Sequence, residues 1–138
     1  MIRIVLDTNV FISGFLWDEK EAEVIRRIER KEIANFINPA ILVEIENVIN
    51  RRKFRELLAN ARMTADEILQ QIISLSHIVV GPNIGRNIIK SDVTDDKFIE
   101  CALNSKSGYI VSGDRHLLDM KEYNGIKIIT PKQFLEII

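Results

Sequence analysis

Short runs of branched apolar residues alternate with helical segments along this chain, and that alternation limits the possible folds more than any other feature. The runs are IRIVL (residues 2–6), IANFIN (33–38), YIVS (109–112) and IKIIT (126–130), with IVV (78–80) as a possible further strand. Such short, β-branched runs are typical of buried strands. Strands that alternate with helices predict an α/β fold, namely a three-layer α/β/α sandwich around a central, mostly parallel sheet.

Helix-start signals mark the segments between these runs. Thr64 and Glu67 have the spacing of a capping box, and so do Asp18 and Glu21. Proline, which suits a first helical turn, stands at positions 39 and 131. We predict helices over residues 18–31, 40–50, 64–77 and 95–104, and from residue 131 onward.

The composition is that of an ordinary globular protein. The chain has 138 residues, of which 46% are hydrophobic and 28% charged, so we expect one domain over residues 1–138. Cys101 is the only cysteine, which excludes an internal disulfide and a cysteine-based zinc cage. The net charge of −1 excludes a strongly basic nucleic-acid binder but leaves room for a local basic patch.

No part of the sequence is typical of a membrane or export segment. No apolar run approaches the ~18 residues of a membrane helix. The first apolar run is five residues long, contains Arg3 and continues directly into Asp7, unlike a signal peptide. We therefore expect a cytoplasmic protein.

Two aspartates follow predicted strands. Asp7 comes directly after the first strand, and Asp114 lies two residues after YIVS. In an open parallel sheet, ligands bind in the crevice beyond the carboxyl ends of the strands. Aspartate is also common after strands because its side chain bonds turn amides, so one such residue alone would indicate little. Two of them favour a site.

Two helices add further carboxylates. In the helix over residues 95–104, the helical phase puts Asp95 near the middle of the apolar face and Asp96 at its edge. In the helix over residues 40–50, Glu44 and Glu46 lie at opposite borders of the apolar stripe, and the phase alone does not choose between them.

Carboxylates that converge on one crevice cannot all stay ionised without a counter-charge. Hard oxygen ligands, with no cysteine and little histidine, suit Mg²⁺ or Mn²⁺. A site of this kind suits the hydrolysis of a phosphodiester.

Several segments together resemble the PIN-domain family, which includes the VapC-type toxins of toxin–antitoxin pairs. The resemblance extends from Ile2 to Leu135 and rests on IVLDTNVFISGF, NPAILVEIENVINRRKF, SDVTDDKFIECAL, YIVSGDRHLL and IKIITPKQFL. It implies a PIN-like α/β/α fold and a Mg²⁺- or Mn²⁺-dependent endoribonuclease. It also implies a small antitoxin as partner and a homodimer.

The resemblance also assigns site residues. The family's four acidic positions, implied to be catalytic and to hold the metal, fall on Asp7, Glu44, Asp95 and Asp114. Asn9 and Ser112 match positions that support the site through hydrogen bonds. Asp96 stands where related sequences often have Asn, which leaves the third acid slightly open.

A basic cluster follows the helix that carries Glu44, and it comprises Arg51, Arg52, Lys53 and Arg55. It is either a solvated face or a surface that holds RNA phosphates. His116 lies near the fourth acidic motif, but a lone histidine is more often structural.

Two alternatives remain open. One is a non-catalytic PIN-like module that binds RNA or a partner protein, and the other is an RNA-processing or RNA-decay nuclease that is not a toxin. A haloacid-dehalogenase-type phosphatase is disfavoured, because it needs an aspartate where this chain has Asn9.

Overall fold

The computed structural model describes residues 1–16, 19–82 and 96–138. The elements follow one another in this order: β1 (Ile2–Leu6), α1 (Thr8–Leu16), α2 (Glu19–Glu29), β2 (Ile33–Ile37), α3 (Pro39–Ile49), α4 (Arg52–Asn60), α5 (Ala65–Ser74), β3 (Ser76–Ile78), α6 (Asp96–Ser105), β4 (Tyr109–Val111), α7 (Arg115–Met120), β5 (Glu122–Tyr123), β6 (Ile126–Ile129) and α8 (Pro131–Ile137).

The strands form one sheet in the order β3-β2-β1-β4-β6-β5. All pairs are parallel except β5 with β6, which is antiparallel. The parallel strands follow one another outward from β1 through β2 to β3 on one side and from β4 to β6 on the other, and β5 lies at the edge beyond β6. The strand order therefore reverses between β1 and β4, where open α/β sheets bind ligands.

The central strands are buried on both faces. Residues Ile4–Leu6 of β1 and all of β2 are inaccessible or nearly so. A strand buried on both faces requires helices on both sides of the sheet. The three-layer α/β/α prediction is therefore confirmed.

Asn35 is a fully buried polar residue inside β2 that joins three strands. Its amide oxygen accepts a hydrogen bond from the Leu6 amide at 3.1 Å, and its amide nitrogen donates to Ser76 Oγ at 3.0 Å. A buried amide must be paired in this way to avoid the cost of desolvation. These bonds hold the carboxyl end of β1 in place.

The predicted elements agree with the observed ones, apart from their ends and four elements that the sequence left without bounds or did not predict. Thr64 caps α5 as predicted, but this helix ends at Ser74 because β3 already begins at Ser76, two residues before the predicted strand. The predicted starts at residues 18 and 95 lie outside the described residues. The sequence predicts more than one helix after β1 and after β2 but gives no bounds for α1 or α4, and it predicts neither α7 nor β5. Within the described ranges, no helix has both the length and the apolar character needed to cross a membrane.

Candidate active site

Asp7, Ser112 and Asp114 meet at the carboxyl ends of β1 and β4. The two strands are paired, and the Asp7 amide continues the ladder by donating to the Val111 carbonyl at 2.9 Å. The Ser112 hydroxyl donates to Asp7 Oδ2 at 2.7 Å and accepts from the Asp114 amide at 2.9 Å. Parallel pairing thus brings together side chains more than 100 residues apart in the sequence.

The environment of Asp7 disfavours its charge. The pKa of Asp7 is raised from 3.8 to about 6, chiefly by burial and also by the negative charges of Glu44 and Asp114. Hydrogen bonds from Ser112 and from the Asn9 amide act in the opposite direction. A buried carboxylate beside two others is a place where a cation would relieve the repulsion.

Asp114 also has a structural role. It is the N-cap of α7, and its Oδ1 accepts a hydrogen bond from the His116 amide at 2.8 Å. This cap fixes the direction of the side chain, which is half-buried at the cleft.

The structure distinguishes the two glutamates of α3. Glu44 is partly buried; its Oε1 is 2.8 Å from Lys97 Nζ, and its Oε2 accepts from the Thr8 hydroxyl. Glu46 is exposed. Helical phase left the two equal, and packing of α3 against α1 and α6 now turns Glu44 toward Asp7.

A cleft of about 240 Å³ opens beside the carboxylates of Asp7 and Asp114. It is lined by Asp7, Asn9, Val10, Ser13, Glu21, Gly113 and Asp114. Asn9 lines the same cleft as Asp7, and its backbone amide donates a hydrogen bond to Asp7; the supporting role of its side chain stays a prediction.

Glu21 in this cleft is a residue that the sequence analysis missed, because it was interpreted only as part of a helix cap. A signal was present: Glu21 lies three and four residues before Val24 and Ile25, on the face of α2 that is buried. Gly14 allows α2 to approach, since a Cβ there would lie 2.9 Å from the Glu21 carbonyl oxygen.

The third acidic motif is only partly described. Asp95 lies outside the described residues. Asp96 begins α6 and is only 6% exposed, so it is more buried than its predicted position at the edge of the apolar face indicates. The reason is that α6 packs on β1, β2, β4 and α3, so the buried face is wider than its apolar residues alone indicate.

The basic cluster is exposed in all four members, Arg51, Arg52, Lys53 and Arg55. Arg52 and Arg55 line a groove of about 410 Å³ on α4 together with Asn50, Glu56 and Ala59. Arg52 lies 3.5 Å from Glu56, but both side chains are largely in solvent, so this pair contributes little to stability. The guanidinium groups remain accessible to an anion.

Both histidines are exposed. His77 lies on β3, and its ring is 5.2 Å, centre to centre, from the ring of Phe36 on the neighbouring strand β2. His116 contacts the site through its backbone amide, which donates a hydrogen bond to Asp114 Oδ1.

Comparison with known proteins gives consistent results. A model of the PIN domain family matches residues 3–116. The uncharacterised protein MJ1680 of Methanocaldococcus jannaschii is 33% identical over 144 residues, covering 98% of this chain and 90% of the relative.

Two solved structures share the fold. VapBC2 from Rickettsia felis, bound to a DNA fragment from its promoter, superposes with a TM-score of 0.64 at 11% identity, covering 92% of this chain and 97% of that one. PAE2754 from Pyrobaculum aerophilum gives a TM-score of 0.58 at 15% identity, covering 99% and 96%.

The fold and the site together define an α/β/α protein with a carboxylate cleft at the switch point of a parallel sheet. The chain belongs to the PIN domain family. Members of this family are generally nucleases.

Proposed function

We propose that this protein is a metal-dependent endoribonuclease that hydrolyses RNA phosphodiester bonds. The observation that carries the proposal is the cluster of Asp7, Ser112 and Asp114, with Glu44 close enough to raise the pKa of Asp7, at the switch point of a PIN fold. Carboxylates gathered at one strand end oppose one another's ionisation, and the cost of that repulsion favours a functional role for the cluster.

The donor chemistry of this cluster fits Mg²⁺ or Mn²⁺. Asp7, Glu44 and Asp114 offer only carboxylate oxygens, which these hard cations prefer. Within the described ranges, no three His, Cys, Asp or Glu side chains lie close enough to hold an ion. Our proposal therefore includes Asp95, from outside those ranges, as a further ligand.

Each residue then has a definite task. A divalent cation would lower the pKa of the attacking water and neutralise charge that develops on the phosphate. Ser112 orients the Asp7 carboxylate by donating to it, and the cap on α7 orients Asp114. Asn9 lines the cleft where the substrate would enter. The basic cluster would bind phosphates of the RNA that lead into the cleft; it comprises Arg51, Arg52, Lys53 and Arg55.

We further propose that the protein is the toxin of a toxin–antitoxin pair, acting in the cytoplasm as a homodimer with a small antitoxin. Its support is the structural similarity to VapBC2, which was solved bound to a DNA fragment from its promoter. An RNA-processing or RNA-decay nuclease would use the same cleft. A small open reading frame that overlaps the gene, and whose product co-purifies with this chain, distinguishes the toxin from these.

The test of the nuclease proposal is cleavage of single-stranded RNA oligonucleotides with Mg²⁺, with Mn²⁺ and with excess chelator. We expect cleavage only with metal, leaving a 5′-phosphate and a 3′-hydroxyl. Full cleavage in chelator, or a 2′,3′-cyclic phosphate product, would refute it. No cleavage of any RNA, with metal binding intact, would favour the non-catalytic binding module.

The chain provides a matched control within one helix. Glu44→Gln should abolish cleavage, and Glu46→Gln, on the exposed side of α3, should leave it largely intact. Equal loss in both variants would mean that the orientation of α3 does not select the functional glutamate.

A further inference from the structure

We propose that Lys97 is a positioning residue of the candidate active site. It holds the Glu44 carboxylate in place and thereby sets the affinity of the site for a divalent cation. This inference rests on the proposed function. It concerns a residue on α6 that brings a positive charge to the carboxylates of the site.

The contact between Lys97 and Glu44 is short and shielded from solvent. Lys97 Nζ lies 2.8 Å from Glu44 Oε1, and the two side chains are 17% and 25% exposed. A lysine so enclosed gives up most of the rotamer freedom that an exposed lysine keeps. Exposed ion pairs, such as Arg52 with Glu56, do not have this property.

Both oxygens of Glu44 are engaged by separate elements. Lys97 on α6 reaches Oε1, and the Thr8 hydroxyl on α1 donates to Oε2. Two donors from two directions fix the plane of a carboxylate, whereas one donor would let it rotate. Each oxygen keeps a further lone pair, so Glu44 can accept another partner without losing these two.

The backbone of Lys97 is held as well. Asn38 caps α3 by accepting from the Ile41 amide at 2.8 Å, and its side-chain nitrogen donates to the Lys97 carbonyl at 3.1 Å. One asparagine therefore ties the start of α6 to the start of α3. The distance between Lys97 and Glu44 is set by this link and does not depend on the lysine side chain alone.

Charge and orientation have opposite effects on metal binding, and this makes the role of Lys97 testable. If Lys97 acted only as a positive charge near the cleft, it would repel a divalent cation, and its removal would tighten binding. If it positions Glu44, its removal frees the carboxylate and weakens binding. Residues that orient metal ligands contribute about 10–100-fold to affinity or activity.

The experiment measures the Kd for Mn²⁺ by calorimetric titration, and kcat and KM on an RNA oligonucleotide, for a set of variants of the full chain. The set comprises the wild type, Lys97→Met, Lys97→Gln, Lys97→Arg, Glu44→Gln, the Lys97→Met/Glu44→Gln double variant and Lys132→Met. Lys132 is exposed on α8, outside the helices that carry Glu44 and Lys97, so its replacement changes the net charge by the same amount without touching that pair.

We expect Lys97→Met and Lys97→Gln to weaken Mn²⁺ binding by about 10–100-fold and to lower kcat with little change in KM. Lys97→Arg should restore part of the affinity, and Lys132→Met should behave as the wild type. In the Glu44→Gln background, Lys97→Met should cause no further loss of Mn²⁺ affinity, because no carboxylate remains at position 44 to be positioned.

Three outcomes would overturn the inference. These are tighter Mn²⁺ binding in Lys97→Met, a rise in KM with unchanged kcat (which would indicate direct contact with RNA), and the same loss in both backgrounds. Melting curves in chelator check folding, and Lys97→Gln serves if the methionine variant unfolds. A wild type that binds Mn²⁺ but cleaves no RNA refutes only the proposed function; one that binds no Mn²⁺ refutes both.

Discussion

Among the aspartates that the structure describes, Asp7 has the environment that differs most from that of an exposed aspartate. It is 5% exposed, receives a hydrogen bond from Ser112 and still has a raised pKa, because burial outweighs that bond. Its ionisation therefore opposes folding when no cation is present. Such a cost is typical of functional sites, where stability is given up for chemistry.

The pKa of Asp7 predicts how stability depends on pH in chelator. The pKa of Asp7 is 3.8 in an unperturbed chain and about 6 in the folded protein, so the folded state binds this proton more tightly. As the pH rises through that range, loss of the proton therefore lowers the stability of the folded state. Asp7→Asn lacks this loss. Relative to the wild type, the variant should gain up to about 3 kcal/mol of unfolding free energy across that range.

Urea unfolding at a series of pH values measures this difference. Asp119→Asn, at an exposed position of α7, serves as the control and should show no such trend. If the difference between Asp7→Asn and the wild type stays constant from about pH 3.5 to 7.5, Asp7 is not the buried acid that we describe.

The acidic pair at the start of α6 gives a second prediction at this scale. We expect Asp95→Asn to abolish cleavage and to remove most of the stabilisation by Mn²⁺. Asp96→Asn should keep both, but lose about 0.3–1 kcal/mol of stability because it removes a negative charge from a first helical turn. Melting curves of both variants, with Mn²⁺ and with chelator, show which acid is the ligand. The reverse pattern would move the assignment to Asp96, whose burial makes that outcome physically reasonable.

At the scale of elements, each strand end and helix brings one part of the site. The ends of β1 and β4 supply Asp7 and Ser112, α7 supplies Asp114 as its cap, α3 supplies Glu44, and α6 supplies Lys97. The helix α4 follows directly after α3 and carries the exposed basic cluster. That order along the chain puts an exposed basic surface next to the helix that carries Glu44.

We predict that Arg52→Ala weakens RNA binding across sequences and lowers the salt dependence of the affinity by roughly one unit of slope per lost phosphate contact. The reason is that its guanidinium is almost fully exposed and only loosely paired with Glu56. The measurement is the RNA affinity at several salt concentrations. Arg30→Ala, at the exposed residue that follows α2, is the control. An unchanged slope in Arg52→Ala would mean that α4 is an ordinary solvated surface.

For the whole molecule, metal binding and folding should be coupled. A ligand that binds only the folded state adds about 2.7 kcal/mol when present at 100 times its Kd. For a chain of this size that is roughly 5–10 °C in melting temperature. We expect Mn²⁺ to produce such a shift in the wild type and in Glu46→Gln, and Asp7→Asn to lose most of it. A wild type with equal melting temperatures in Mn²⁺ and in chelator would contradict a metal site.

Much of this architecture could be predicted from local patterns. Runs such as IRIVL and IKIIT have few conformational options, since short β-branched segments between helices are stable only as buried strands. Thr64 and Pro131 start helices by local hydrogen bonding and backbone geometry, which require no other part of the chain. The alternation of strands and helices predicted the α/β/α fold, and the resemblance of five sequence segments predicted the PIN family.

The residues that local patterns could not place are those whose environment is made by distant segments. Glu44 and Glu46 are equivalent on an isolated helix, and only contact with Thr8 and Lys97 distinguishes them. Asp96 is buried because α6 lies against three strands and α3, and Glu21 reaches the cleft because Gly14 lets α2 approach α1. Helical phase gives the direction of a side chain relative to its own helix, whereas burial and charge pairing depend on which elements pack around it.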